Sequence, residues 1–262
     1  MTESQVTRAA ATLWRHWSDG TRIDGLPADC RPADRRDGYA IQSAIVALSG
    51  GRRAGWKIAA TSTAGQRHIG VDGPLAGPLL ARTRLPPGGR VPFRSNHMKV
   101  AEGEFAFELG EALPPGGAPY SVDRVMAAVR SLAPAIEIPD SRYDDYARAG
   151  APQLIADCAC ACWVAAGDDA PEAWRDMDLA AHRVRALRNG TLAAEGRGAN
   201  VLGDPRVALT WIANELSAFG PGLDAGDLVI TGTCVPPVAI APGDALEMDF
   251  GPIGRLTLLV GD

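Results

Sequence analysis

Between Lys99 and Gly110 the chain reads KVAEGEFAFELG, and no other stretch restricts its possible folds as much. Only an extended backbone sends every second side chain to one face. Phe105, Phe107 and Leu109 then share a parity with Gly103, while Glu102, Glu104, Ala106 and Glu108 share the other. The aromatic parity requires an apolar layer beside it. The acidic parity poses the opposite problem, because carboxylates two apart on a strand repel one another unless water or a cation neutralises them. A half-exposed strand meeting water answers that demand; so does a cation.

Glu137 bears on the choice. In AIEIPD it sits between Ile136 and Ile138, a charge interrupting a core strand, and buried carboxylates are rare without a partner. Glu102, Glu104 and Glu137 can together form part of a hard-cation site for Mg²⁺ or Mn²⁺, with oxygens of water and substrate completing the shell. Zinc fits less well: His16, His68, His97 and His182 have no close ligand spacing, and there is no CxxC pair. Lys57 in GWKIAATS lies opposite Trp56 and Ile58 in a strand, so its ammonium can enter a polar cavity or stay in water. Asp72, in an Asp-Gly pair, suits a turn or a partner for Lys57 in proton transfer. Thr231, Gly232 and Thr233 follow an apolar strand, where backbone amides and hydroxyls can approach a carboxylate.

The remaining chain reads as α+β. At 262 residues it is long enough to bury roughly 70–75% of its unfolded surface without disulfides. Thirty glycines and twenty prolines favour many turns over long helices. SQVTRAAATLWRHW is a helix with Ser4 available as its cap, and a second helix starts near Pro32 and ends at Gly50 and Gly51. A strand through Lys57 runs into a cap at Thr61, Ser62 or Thr63. PPGG at 86–89 reads either as a junction between modules or as a hairpin connection. The expected division is an N-terminal α+β region over 1–80 and a main domain over 81–262. SVDRVMAAVRSL reads as a capped helix, and LIADCACACWVAAG is left open between strand and helix. RNG is a hairpin turn. DPRVALTWIANELSAFG is the clearest helix, with Asp204 as cap, Pro205 first, and Val207, Leu209, Ile212, Leu216 and Phe219 as its apolar side.

Several function classes recede. Lys and Arg total 26 against 31 Asp and Glu, a net charge of −5, with no basic patch interleaved with aromatics; nucleic acid is not an expected partner. Arg52 and Arg53 in GRRAG read as a solvated turn before a strand. No apolar run is long enough to span a bilayer, so neither a membrane partner nor a leader is expected, and the reading is cytoplasmic. Cys30, Cys158, Cys160, Cys162 and Cys234 have no framework spacing and read as reduced thiols. No phosphate-binding loop, dinucleotide glycine motif or GxSxG elbow is present.

Taken in order over about residues 40–260, GWKIAATS, GVDGPLAGPLL, EGEFAFELG, APAIEIPDSR, VLGDPRVALTWIANEL and LVITGTCVPPVAIAPGD resemble the 2-keto-4-pentenoate hydratase and 4-oxalocrotonate decarboxylase family, a branch of the fumarylacetoacetate hydrolase superfamily. The resemblance implies a mixed β-roll, a small mainly helical N-terminal region, and a homo-oligomer, pentameric or decameric, working on a small 2-oxo acid in aromatic catabolism. It also implies Mg²⁺ or Mn²⁺ on Glu102, Glu104 and Glu137, catalysis by Lys57 and Asp72, and a substrate face at Thr231, Gly232 and Thr233. Glu108 is not a ligand position. One departure stands out: where relatives read approximately DNAS, this chain has Cys158 and Cys160 in place of an amide and a hydroxyl. Those positions would make a substrate-binding wall less polar, or simply repack small residues.

The implied reaction is hydration of a 2-hydroxydienoate, a metal-dependent lyase step. Decarboxylation of a vinylogous 2-oxo acid and acylpyruvate-type C–C hydrolysis begin from the same enolate stabilisation. The hydrolase needs an acid–base group to activate water, and no histidine pair suggests one. A noncatalytic binding scaffold is the alternative of a different class. It expects the three glutamates not to converge, or to converge without binding a cation, and Lys57 to point away.

Overall fold

The computed structural model describes residues 1–51, 53–116 and 119–262; Arg52 of the GRRAG reading lies outside them. Two helices come first. Helix α1 (Glu3–Asp19) is capped two residues earlier than Ser4: the Thr2 hydroxyl accepts from the Gln5 amide at 3.3 Å while Gln5 Oε1 accepts from the Thr2 amide at 2.8 Å, a reciprocal capping box. Helix α2 (Arg35–Leu48) starts after Asp34 rather than at Pro32, because the Asp34 carboxylate takes the Asp37 amide.

The chain then enters β1 (Arg53–Ala59), α3 (Thr63–His68), β2 (Leu75–Leu80), β3 (Arg84–Leu85), β4 (Arg90–Val91) and β5 (Val100–Leu109). After α4 (Val122–Ala127) come β6 (Val129–Ile138), α5 (Ala151–Ala156), β7 (Trp163–Ala166), β8 (Arg183–Arg188) and β9 (Thr191–Arg197). The last elements are α6 (Pro205–Phe219), β10 (Leu228–Thr233), β11 (Val238–Ala239), β12 (Ala245–Asp249) and β13 (Arg255–Val260). The SVDRVMAAVRSL segment divides: Ser121 caps a helix of only six residues, and Val129 onward pairs with β5. Asn189 and Gly190, at φ 53° and 75°, turn β8 into β9 as the RNG signal requires. In α6 the buried stripe is Ala208, Leu209, Ile212, Ala213 and Leu216; Val207 and Phe219 are exposed.

One sheet has strand order β2-β1-β10-β5-β6-β7-β3 with β11 added to β5, and a second has β4-β13-β12-β8-β9. The first sheet is mixed, with β1 parallel to β10 and β5 antiparallel to β6 and β10. The 80/81 division falls inside it, so β1 and β2 belong to the same sheet as β5 and β6. PPGG is neither a simple hairpin nor a gap between sheets of separate modules. It carries the chain from β3 in the first sheet to β4 in the second.

The two faces of the first sheet have different neighbours. Trp56, Ile58, Phe105, Phe107, Leu132 and Ile136 join a core with Val184, Leu246, Met248 and Leu258 of the second sheet. The opposite face carries Leu79, Ala106, Ala133, Ala135 and Ile230, clustered with Leu13, Ile41 and Ile45 of α1 and α2. Small alanines let the helices pack close there. The acidic parity of β5 therefore faces a protein layer rather than bulk water.

Candidate metal and proton-transfer site

Register brings the carboxylates together. Glu102 of β5 pairs directly with Glu137 of β6, and Glu104 follows two residues along on the same face. One oxygen from each of the three lies within 4.8 Å of the others, a group able to hold a cation. Glu104 and Glu137 are fully buried, whereas Glu102 keeps an edge toward solvent and marks the open side. Two unit charges at that separation repel by about 3 kcal/mol even at an effective dielectric of about 20. The arrangement therefore holds protons, a cation or both.

Lys57 supplies one counter-charge. It is 3% exposed, with Nζ 3.1 Å from Glu137 Oε2 and donating to the Ala159 carbonyl at 3.0 Å. The contact with Glu137 is an ion pair rather than an aligned hydrogen bond, since Glu137 Oε1 and Oε2 both lack a partner of good geometry. Glu104 Oε2 accepts from the Gly232 amide at 2.6 Å, and its Oε1 is buried without a donor. Three carboxylates and one ammonium sum to −2. Orphaned, inward-facing oxygens of that total charge fit a divalent hard cation held by Glu102, Glu104 and Glu137.

The titration of these groups follows the same logic. Burial, then Glu137, pushes Glu102 up to about 7, with Lys57 opposing. Burial and the neighbouring carboxylates push Glu104 well above the usual range. Burial raises Glu137 too, although Lys57 pulls it back. For Lys57, burial by itself favours the neutral amine, but Glu137, Glu102 and Glu104 outweigh it and hold the ammonium above its ordinary range.

Other expected site residues lie elsewhere or serve the site indirectly. Asp72 is exposed in the bend before β2 and is not brought to Lys57, whose charged partner is Glu137. Burial separates the two: Lys57 sits under the sheet's protein cover and Asp72 outside it. The Thr231 hydroxyl donates to the Phe105 carbonyl at 3.2 Å and the Thr233 hydroxyl to the Val235 carbonyl at 2.6 Å, so both bond to backbone. Glu108, at the other end of β5, pairs with Arg130. Arg53 is not a solvated turn residue; it is half-buried, bonded to Asp227 at 3.0 Å and stacked 4.8 Å from the Trp56 ring.

LIADCACACWVAAG resolves into α5, a tight turn and β7, so the cysteines share neither a strand face nor a helix face. Cys158, Ala159 and Cys160 have φ of 53°, 50° and 62°, a left-handed turn that costs roughly 1–2 kcal/mol per residue. Cys158 is fully buried in the apolar cluster beneath α1 and α2, and Cys160 is 6% exposed. Burial pushes both thiols up to about 12, which leaves them protonated and inert. This segment bonds to the site through the Ala159 carbonyl, which no side-chain pattern could indicate. Thr61, in sequence one of three possible caps, is buried with its hydroxyl against Gly232. No histidine joins the carboxylates among the described residues: His182 Nε2 meets the Phe250 carbonyl at 2.8 Å, and His97 Nε2 meets the Asp144 carbonyl at 3.3 Å.

A mixed sheet with a carboxylate triad and a buried lysine at one end defines a class, and comparison with known proteins gives it a family. Residues 76–260 match the model of the fumarylacetoacetate (FAA) hydrolase C-terminal domain. The chain belongs to the fumarylacetoacetate hydrolase family. It is 32% identical over 259 residues to the 2-keto-4-pentenoate hydratase of Paraburkholderia xenovorans strain LB400, covering 98% of this chain and 95% of that one. It is 32% identical over 227 residues to a 2-hydroxyhexa-2,4-dienoate hydratase of Comamonas testosteroni, covering 85% of this chain and 84% of that one. Its fold matches a 4-oxalocrotonate decarboxylase from Pseudomonas putida G7, complexed with magnesium and adipate, with a TM-score of 0.89 and 26% identity over 99% of this chain and 98% of that one.

Proposed function

We propose that the protein is a divalent-metal-dependent hydratase, a lyase that adds water to a small 2-hydroxydienoate by way of its 2-oxo form. The observation that carries this reading is the convergence of Glu102, Glu104 and Glu137 within 4.8 Å, with the Lys57 ammonium 3.1 Å from Glu137. A noncatalytic scaffold expects the carboxylates not to converge, or to converge without binding a cation, and Lys57 to point away; the convergence and the inward lysine support the enzyme reading, and Mg²⁺ binding tests the remaining arm. Nearly full-length similarity to proteins named hydratases supports the choice of reaction.

Glu102, Glu104 and Glu137 would hold Mg²⁺ or Mn²⁺, whose charge would stabilise the enolate form of a 2-oxo acid next to its carbonyl. The chain's own contribution is orientation and proton movement. Gly232 fixes Glu104 through its amide, and the protein layer over the first sheet excludes bulk water from all but the Glu102 side. Lys57, resting as an ammonium, is the proton donor that ketonises the 2-hydroxydienoate. The 2-hydroxyl proton released on ketonisation passes to a carboxylate of the cluster; the neutral Lys57 amine then takes a proton from the incoming water as its hydroxide adds to the conjugated double bond, and the carboxylate returns its proton to the enolate carbon beside the carbonyl. Asp72, exposed in the bend before β2, stands outside this buried pair. Thr233 and Cys160, each retaining partial exposure, are the candidates to border the substrate.

Decarboxylation of a vinylogous 2-oxo acid is the second reading, favoured by the match to the decarboxylase fold over almost the whole chain. Purified protein supplied with Mg²⁺ and a panel of 2-hydroxydienoates and vinylogous keto acids separates the two by product mass and carbon dioxide release. We expect a product heavier by one water. Carbon dioxide without hydration replaces the hydratase with the decarboxylase, and no metal-dependent turnover across the panel overturns both.

A further inference from the structure

Lys57 hangs its charge on four flexible methylenes, and a proton carrier of that kind must be aimed. One of its N–H groups donates to the Ala159 carbonyl, and the ammonium lies in ion-pair contact with Glu137. The carbonyl belongs to the left-handed turn at Cys158–Cys160, whose conformation is costly for residues with a Cβ and persists only where its surroundings enforce it.

Those surroundings are visible on both sides. On one, Asp157 accepts from the Ser141 hydroxyl at 2.8 Å and the Arg142 amide at 3.0 Å, and pairs with the Arg142 guanidinium, itself 4.0 Å from the Trp17 ring. On the other side lies β2. Gly77 is the cross-strand partner of Lys57, on the same face, and the turn lies directly over it. A Cβ at Gly77 would stand 1.9 Å from the Cys158 carbonyl oxygen and 2.5 Å from its carbon. These are backbone atoms, so the turn itself would have to lift. A glycine inside a strand marks such a close backbone approach.

We propose that Gly77 is a positioning residue: its missing side chain seats the left-handed Cys158–Cys160 turn on β2, so that the Ala159 carbonyl aims the Lys57 ammonium at the carboxylate cluster. This rests on the reading of Lys57 as the proton carrier. Gly77 offers no side-chain group to a cation, and the space where its Cβ would stand is filled by the Cys158–Ala159 turn. Its replacement therefore displaces the lysine head while leaving Glu102, Glu104 and Glu137 in register.

The test compares Gly77→Ala with Gly198→Ala, whose added Cβ would likewise stand 1.9 Å from a backbone carbonyl, that of Leu179, in a segment that makes no hydrogen bond or ion pair with Lys57 among the described residues. For Gly77→Ala, kcat should fall by roughly 100-fold, while KM and the Mg²⁺ affinity read by calorimetry stay within about threefold. Gly198→Ala should lose thermal stability yet keep kcat per folded molecule within about threefold. Equal losses of kcat in both variants, or a folded Gly77→Ala that keeps its kcat, overturn the proposal. If Gly77→Ala does not fold, the carbonyl ¹³C signal of Ala159 is compared between the natural protein and Lys57→Met. A shift supports the contact, and an unmoved signal overturns it. Full activity in Lys57→Met instead sinks the role given to the lysine, whatever the carbonyl signal does.

Discussion

Four glutamate and alanine positions on one strand face have different fates, and the difference is local. Glu102 and Glu104 meet Glu137, while Glu108, at the far end of the strand, pairs with Arg130 where water screens both. Glu104→Gln should weaken Mg²⁺ binding beyond the roughly 10–100-fold typical of losing an outer-shell partner, because it removes a ligand oxygen and a buried charge together. Glu108→Gln should leave that affinity unchanged; isothermal titration of the two variants checks the pair. Lys57→Met should lower kcat by about 10²–10⁴-fold, the usual worth of a positioned acid or base, while retaining metal binding. Steady-state kinetics beside the same titration separates the two effects.

At the scale of elements, the end of β10 matters through its backbone rather than its hydroxyls. Gly232 has φ 98°, its amide holds Glu104, and a Cβ there would lie 2.3 Å from Thr61 Oγ1. Gly232→Ala should cost about 1–3 kcal/mol in denaturant unfolding and weaken Mg²⁺ binding with it. The Arg142–Asp157 pair is buried and anchors the turn after α5. Arg142→Ala leaves Asp157 charged and uncompensated in the interior, so a loss of about 3–5 kcal/mol is expected from the same measurement.

For the molecule as a whole, the carboxylate cluster links stability, pH and metal. A carboxyl raised in the folded state binds more protons there than in the unfolded chain, so stability falls as pH rises. For Glu102 the loss runs from the ordinary 4.5 to about 7. Metal-free protein should therefore lose thermal stability as pH climbs through this window, and Mg²⁺ should restore it most strongly above the window, where Glu102 is ionised. Melting curves in chelator and in Mg²⁺ across that range decide the point. The first sheet also runs through the 80/81 division, with β1 delivering Lys57 and β2 delivering Gly77. A chain beginning at residue 81 should fail to fold in isolation, since it strips two strands and the helical cover from the face that carries Ala106, Ala133 and Ala135.

The sequence alone determined the features that depend on neighbouring residues: the strict alternation of β5, the Asp204-Pro205 start of α6, the Asn-Gly turn, and the parity separating phenylalanines from glutamates. Ordered motifs spread along the chain carried the family, and with it Lys57 and the three carboxylates as candidates. Some local readings shifted by a turn or less, as at Thr2 and Asp34, where several residues can cap and packing selects one. What only the tertiary structure decided was which distant atoms meet. No local rule pairs Glu102 with Glu137, turns the Thr231 and Thr233 hydroxyls to backbone, leaves Asp72 outside, or winds Cys158–Cys160 left-handed over Gly77. Those outcomes depend on sheet register and on backbone atoms common to every residue, so they leave little trace in side-chain identity.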